Sequence, residues 1–268
     1  MQIGSKTFDE SHTHIMGILN LTPDSFSDGG SYLTVEAALL RAAEMEKEGA
    51  SILDIGGEST RPGYIPITES EEIERICPVI EAIHKRMDLP ISVDTYKPAV
   101  AREAVAAGAV MINDIWGLMK DPDMGKLISQ EKLCCCLMHN RSETDYKDFL
   151  ADYLEDVNRI IENASEAKIE PQRIILDPGI GFAKNTEQNL IVLKHLDALK
   201  EKGYPILIGA SRKSVIGNVL DLPIHERLEG TLAITALSVL KGAMFVRVHD
   251  VKENARVIKM LEAIKASL

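Results

Sequence analysis

The chain has 268 residues, 45% hydrophobic and 26% charged, an ordinary globular composition that suffices for one large domain. Its 30 basic residues against 41 acidic ones give a net charge of −11, which disfavours nucleic acid as a partner, because phosphate-backbone binding needs a basic footprint. No apolar run approaches the roughly 20 residues that span a bilayer, and the opening MQIGSKTFDESHTH lacks a basic-then-apolar leader, so a cytoplasmic protein with no membrane partner is expected.

Residues 14–19 form the first β-rich run. A long loop over 20–30 follows, rich in acids and hydroxyls and carrying Gly29-Gly30, too long for a mere connector. A helix starts near Thr34, a capping residue, and ends at Gly49. The second strand, 51–55, leads into loop 56–63, where Arg61 stands beside Pro62 between glycines. The helix over 69–85 opens with acidic residues, which suit its N-terminus. Strand 90–93 precedes a helix over 97–107 that ends at Gly108. Strand 110–112 and a short helix over 121–131 follow. The strand over 133–138 holds Cys134, Cys135 and Cys136. Successive strand side chains face opposite ways, so the three cannot converge on one metal, and buried, reduced thiols are expected. Helix 148–167, strand 173–176, helix 187–202, strand 205–208, helix 225–241, strand 244–248 and helix 251–266 complete the series.

Eight strands alternate with helices, and runs such as Ile-Ile-Leu and Ile-Leu-Ile are continuously apolar, as strands covered on both faces require. This pattern favours an α/β fold, a single (β/α)₈ TIM barrel occupying residues 1–268, over an open doubly wound sheet. Residues 2–10, with a turn at Gly4-Ser5, read as a lid over the bottom of the barrel. In such barrels the site lies at the C-terminal ends of the strands. Those ends carry Asn20, then Glu58, Thr60 and Arg61, then Asp94, Asn113-Asp114, His139-Asn140, Asp177, Ser211-Arg212-Lys213, and finally Arg247 and His249. A single polar residue at a strand end is often only a turn former or helix cap. Asp94, Asn113 and Asp177, on three different strands, can converge near the axis, and two acceptors with an amide suit a planar heterocycle bearing several N–H groups. The cations Arg61, Arg212, Lys213, Arg247 and His249 share the same rim and suit an anion, arginine being the preferred fork for phosphate oxygens. The residues alone indicate a barrel enzyme that binds a phosphorylated heterocycle.

The segments MGILNLTPDSFSDGG, DIGGESTRPG, SVDTYKP, INDIWG, LMHN, LDPGIGFAK, SRKSVIG and VRVHDV closely resemble those of the dihydropteroate synthase family, in the family's order. Leu21 stands where a valine is expected, and Ile115-Trp116 is one variant of a variable pair. The resemblance implies condensation of a hydroxymethyl-dihydropterin diphosphate with p-aminobenzoate, giving dihydropteroate and pyrophosphate in folate biosynthesis, in a sulfonamide-sensitive family of homodimeric, Mg²⁺-using barrels. It assigns Asp94, Asn113, Met138, Asp177 and Lys213 to the pterin pocket, and Asn20, Arg61, Arg247 and His249 to the diphosphate. Asn20 is similar to the family's Mg²⁺ contact, and Asp28 resembles a further ligand or positioning group. Thr60, Pro62, Phe26, Phe182, Lys213 and Ser214 match the positions around p-aminobenzoate. Asp94, Asp177, Lys213, Arg61 and Asp28 are the catalytic candidates.

Three other readings use the same residues. A corrinoid-linked, pterin-binding methyltransferase would share the acid-and-amide pocket but has no use for Arg61, Arg247 and His249. A Schiff-base aldolase could use Lys213 as its amine but leaves the two long loops unexplained. A non-catalytic pterin-binding or scaffold protein would not need the full set of motifs.

Overall fold

A computed structural model describes residues 1–21, 31–58 and 66–267. Two short strands, β1 (Gln2–Ile3) and β2 (Lys6–Thr7), pair antiparallel about a turn at Gly4, whose φ of +56° favours glycine. Eight parallel strands follow: β3 (His14–Asn20), β4 (Ile52–Gly56), β5 (Ile91–Asp94), β6 (Met111–Asp114), β7 (Cys134–Met138), β8 (Ile174–Asp177), β9 (Leu207–Ile208) and β10 (Phe245–Val248). They are hydrogen-bonded in the order β8-β7-β6-β5-β4-β3-β10-β9, and a parallel bridge between Leu176 and Ile206 joins the two ends of that order into a ring.

The helices between them are α1 (Ser31–Glu48), α2 (Glu69–Arg86), α3 (Pro98–Ala107), α4 (Pro122–Gln130), α5 (Phe149–Glu166), α6 (Thr186–Lys194), α7 (Leu196–Lys200), α8 (Ser214–Leu220), α9 (Leu228–Lys241) and α10 (Val251–Ala266). Among the described residues, four of them start at side-chain caps, and the expected cap Thr34 instead lies inside α1. Thr68 and Glu71 form a reciprocal capping box at α2, and Asp121 and Asp148 cap α4 and α5. The expected single helix over 187–202 divides at His195, where no glycine or proline marks a break. Helix α8 was not expected from its glycine- and valine-bearing sequence. Burial of Val215 and Ile216 in the core overrides that weak propensity.

Strand alternation sorts the core into two regions. Outward residues such as Leu53, Ile55, Val93, Ile112, Cys135 and Leu176 pack against the helices. Inward residues Met16, Ile52, Met111, Cys134, Cys136, Ile175, Leu207 and Phe245 fill the lower barrel, and Ile3 and Phe8 of the N-terminal segment close it from below, as the lid reading anticipated. The cysteines are free, and all three of the run are buried. One layer higher, the inward positions become polar.

Candidate active site

The polar layer follows from the period of two along each strand. Inward Ile52 on β4 is followed by Asp54 and Gly56, and inward Met111 on β6 by Asn113. Inward Phe245 on β10 is followed by Arg247. Asp54, Ser92, Asp94, Asn113 and Asp177 are all buried, so apolar barrel walls support a ring of polar groups.

Arg247 organises one side of that ring. Its Nε donates to Asp54 Oδ2 at 2.5 Å and its Nη2 to Asp94 Oδ2 at 2.7 Å. Asn113 Nδ2 donates to Asp54 Oδ2 at 3.0 Å. One arginine therefore joins two carboxylates from adjacent strands. The second oxygens, Asp54 Oδ1 and Asp94 Oδ1, are buried without a hydrogen-bond partner among the described residues, as is Ser92 Oγ. A buried polar group left unmet costs about 1–3 kcal/mol, so a ligand that donates N–H groups here recovers free energy on binding.

Asp177 forms the opposite side. Its Oδ1 accepts the Gly179 N–H at 2.7 Å. A Cβ placed on Gly209 would lie 3.5 Å from Asp177 Oδ2, and one on Gly56 would lie 3.5 Å from Asp94 Cβ and 3.6 Å from Asn20 Oδ1. Both positions lack side chains where the pocket needs space. Met138 ends β7 in register with Asp177, an apolar neighbour to the carboxylate.

Burial shapes the charges. It pushes the Asp94 carboxyl up to about 7, against the pull of Arg247 and with a further push from Asp54. It also raises Asp177, opposed by Lys213 and the Gly179 N–H. Burial works against charge on Arg247, but Asp54 and Asp94 outweigh it and hold the guanidinium above its ordinary value. Lys213 is pushed down to about 8 by burial, with Asp177 opposing. Its ammonium donates to the Ile180 carbonyl and lies 4.4 Å from the centroid of the Phe182 ring. That ammonium is committed to a carbonyl and a ring face, an arrangement suited to holding an aromatic ligand's edge.

The rim residues separate into groups. His249 Nδ1 lies 3.0 Å from Ser211 Oγ, beside the pocket. Arg212, with φ +58°, turns to Asp250 and pairs with its carboxylate, Nε to Oδ2 at 3.0 Å, so it is neutralised within the protein. Ser214 is exposed at the start of α8. Glu58 faces Tyr96, Lys97 and the Ile67 N–H, with Lys97 Nζ 2.7 Å from both Glu58 and Glu72, and so fixes the stems of the second loop. His139 turns from the pocket to Asp156, Nε2 to Oδ2 at 3.1 Å. The expectations for Phe26, Asp28, Thr60, Arg61 and Pro62 lie outside the described residues. Asp54 escaped a reading confined to strand ends. Its signal was a lone carboxylate inside the apolar run Ile-Leu-Asp-Ile, which demands a buried partner.

Residues 16–249 match the family described as pterin binding enzyme. A dihydropteroate synthase from Clostridium beijerinckii is 53% identical over 266 residues, covering 98% of this chain and 99% of that protein. The crystal structure of a dihydropteroate synthase from Clostridium difficile, in the presence of pteroic acid, superposes with a TM-score of 0.94 at 47% identity, covering 97% of this chain and all of that one. A Xanthomonas albilineans dihydropteroate synthase in complex with 7,8-dihydropteroate gives a TM-score of 0.91 at 38% identity, over 99% of this chain and 98% of that one. With a closed eight-stranded barrel, a carboxylate-and-amide pocket at its C-terminal face and identity at this level along nearly the whole chain, the protein belongs to the dihydropteroate synthase family of pterin-binding enzymes.

Proposed function

We propose that the chain, acting as one domain over residues 1–268, condenses 6-hydroxymethyl-7,8-dihydropterin diphosphate with p-aminobenzoate, releasing pyrophosphate and forming 7,8-dihydropteroate. The observation that carries this reading is the Asp54–Arg247–Asp94 cluster, whose unmet acceptors suit the N–H edge of a pterin. Asp94, Asn113 and Asp177 bind and orient the ring, with Met138 against its face. Three carboxylates, Asp54, Asp94 and Asp177, face two cations, Arg247 and Lys213. In their ionised form Asp94 and Asp177, close to the ring, favour positive charge on the pterin as the C–O bond to the diphosphate weakens. The reading is therefore a dissociative, SN1-like displacement. The arylamine nitrogen carries its own lone pair, so no strong base is required, and Lys213 over Phe182 provides an aromatic-and-cationic seat for p-aminobenzoate beside Ser214.

His249 and Arg61 are assigned to the diphosphate, with Arg247 joining them from the pterin side. Asn20 offers one amide oxygen at the rim, adjoining Gly56 and Asp94. A single hard oxygen fits Mg²⁺, which keeps several waters and takes its other oxygens from phosphates. Asn20, with Asp28, would hold it there, where it would neutralise the leaving diphosphate. The proposal also includes a cytoplasmic homodimer. Leu190 on α6 and Val219 and Leu220 on α8 are exposed apolar side chains on helices that pack together.

The test is pyrophosphate release from the dihydropterin diphosphate, with and without p-aminobenzoate and Mg²⁺. The expected result is p-aminobenzoate-dependent release with dihydropteroate formed in equal amount. Absence of p-aminobenzoate-dependent dihydropteroate would reject the reading.

A further inference from the structure

Behind the Asp177 side of the pocket lies a second charged cluster with no part in the scheme above. The Lys184 ammonium donates to three acceptors: His139 Nδ1 at 2.8 Å, the Gly179 carbonyl at 3.1 Å and the Phe182 carbonyl at 3.1 Å. An ammonium has three N–H groups and no acceptor, so the set is complete. His139 is fully buried, and its Nε2 faces Asp156. That partner assigns the ring hydrogen to Nε2 and leaves Nδ1 free to accept from Lys184. Burial pushes His139 down to about 4, which keeps the ring neutral at physiological pH. Burial opposes charge on Asp156, but bonds from His139 and Arg141 outweigh it and hold its carboxyl down at about 2. Burial also pushes Lys184 itself down to about 7, with Asp177 opposing and Lys213 adding to the shift.

The segment these groups grip is conformationally costly. Gly179 and Gly181 have φ of +70° and +84°, and Ala183 has φ of +46°, where a Cβ is disfavoured. A Cβ on Gly179 would lie 2.0 Å from the His139 carbonyl oxygen. From the pocket side the same segment is held by Lys213 on the Ile180 carbonyl and by the Gly179 N–H on Asp177. Tyr146 Oη donates to the Ala183 carbonyl at 2.9 Å from the outer side.

We propose that Lys184 is a positioning residue for arylamine recognition: by tying the Gly179 and Phe182 carbonyls to the buried His139–Asp156 pair, with Tyr146 on Ala183, it holds the 179–183 loop in the shape that sets Phe182 against Lys213. The proposal rests on the reading of the reaction given above. Loss of Lys184 frees the loop to relax from its positive-φ shape, and Phe182 then leaves its place over the lysine. The pterin end keeps Asp54, Asp94, Asn113 and Arg247, none of which touches Lys184; Asp177 meets the loop through the Gly179 N–H, which Lys213 on the Ile180 carbonyl still braces from the pocket side.

The experiment compares wild type, Lys184→Gln and Tyr146→Phe in steady-state kinetics with each substrate varied in turn. Lys184→Gln is expected to raise KM for p-aminobenzoate at least about tenfold, while KM for the dihydropterin diphosphate stays within about threefold. Tyr146→Phe, a gentler change at the loop's outer side, should move the same constant in the same direction by about threefold. If Lys184→Gln does not fold, Tyr146→Phe decides alone. An unchanged KM for p-aminobenzoate in every folded variant, or an equal rise for both substrates, overturns the proposal. Wild type lacking p-aminobenzoate-dependent product would instead overturn the reading of the reaction.

Discussion

Replacing Arg247 with methionine tests the central cluster. The side chains are of similar length, so packing is largely kept while both charge-assisted bonds are lost, Nε to Asp54 at 2.5 Å and Nη2 to Asp94 at 2.7 Å. Two buried carboxylates are then left without their shared cation. Breaking a buried pair in this way costs about 3–5 kcal/mol. For a chain of this size each kcal/mol lowers the melting temperature by roughly 2–4 °C, so the fall is roughly 6–20 °C. The cost depends on pH in a definite direction. Asp94 already has its folded-state pKa raised to about 7, by burial first, and removing Arg247 raises it further. The folded state then binds more protons than the unfolded one, so stability falls as pH rises from the ordinary carboxylate range through the folded value. Thermal melts followed by circular dichroism should show a large penalty at about pH 8 and a smaller one at about pH 5.5. Adding Asp54→Asn to Arg247→Met should recover part of the loss, since the two residues are in contact. A penalty equal at both pH values, or below about 1 kcal/mol, would refute the claim that Arg247 is the counter-ion of the carboxylates. Pterin affinity should fall together with pyrophosphate affinity, because the same guanidinium holds Asp94.

Asp94→Asn should lower kcat/KM at least about tenfold, the effect of losing a charge-assisted bond of roughly 1.5–3 kcal/mol; wild-type kinetics would remove Asp94 from the pterin pocket. The same variant should flatten the stability–pH curve between about pH 4 and 7, because the carboxyl raised to about 7 no longer has to ionise in the folded state. Gly56→Ala should keep its melting temperature, since its new Cβ meets Asp94 and Asn20 at ordinary contact distances of 3.5 and 3.6 Å, yet weaken dihydropterin binding by calorimetry because the methyl occupies pocket space. Lys97→Met strands the buried carboxylates of Glu58 and Glu72, and urea unfolding should report a loss of about 3–5 kcal/mol.

Much of this protein was legible from local order. Eight apolar runs at the right intervals, with glycines after several helices, sufficed for the barrel, because each strand's inward and outward alternation is a local property of the backbone. Strand-end positions also marked Asp94, Asn113 and Asp177 as a convergent set, since a parallel barrel brings every C-terminal end to one face. Partnership was not legible. Arg247 stood in the sequence as a free cation on the rim, yet it meets Asp54, which is 193 positions away, and Asp94, 153 positions away. Arg212 looked equally free and is neutralised by Asp250. His139 stood in the sequence only as a strand-end residue and Lys184 only as the end of a motif, and their partnership was not legible, because what unites them is a strained loop whose carbonyls point at the lysine. Helix α8 was likewise decided by what its segment packs against. Secondary structure and facing depend on neighbours along the chain. The identity of a charge's partner depends on closure of the ring through Leu176 and Ile206, which sets distant strands at hydrogen-bonding range only once the whole barrel exists.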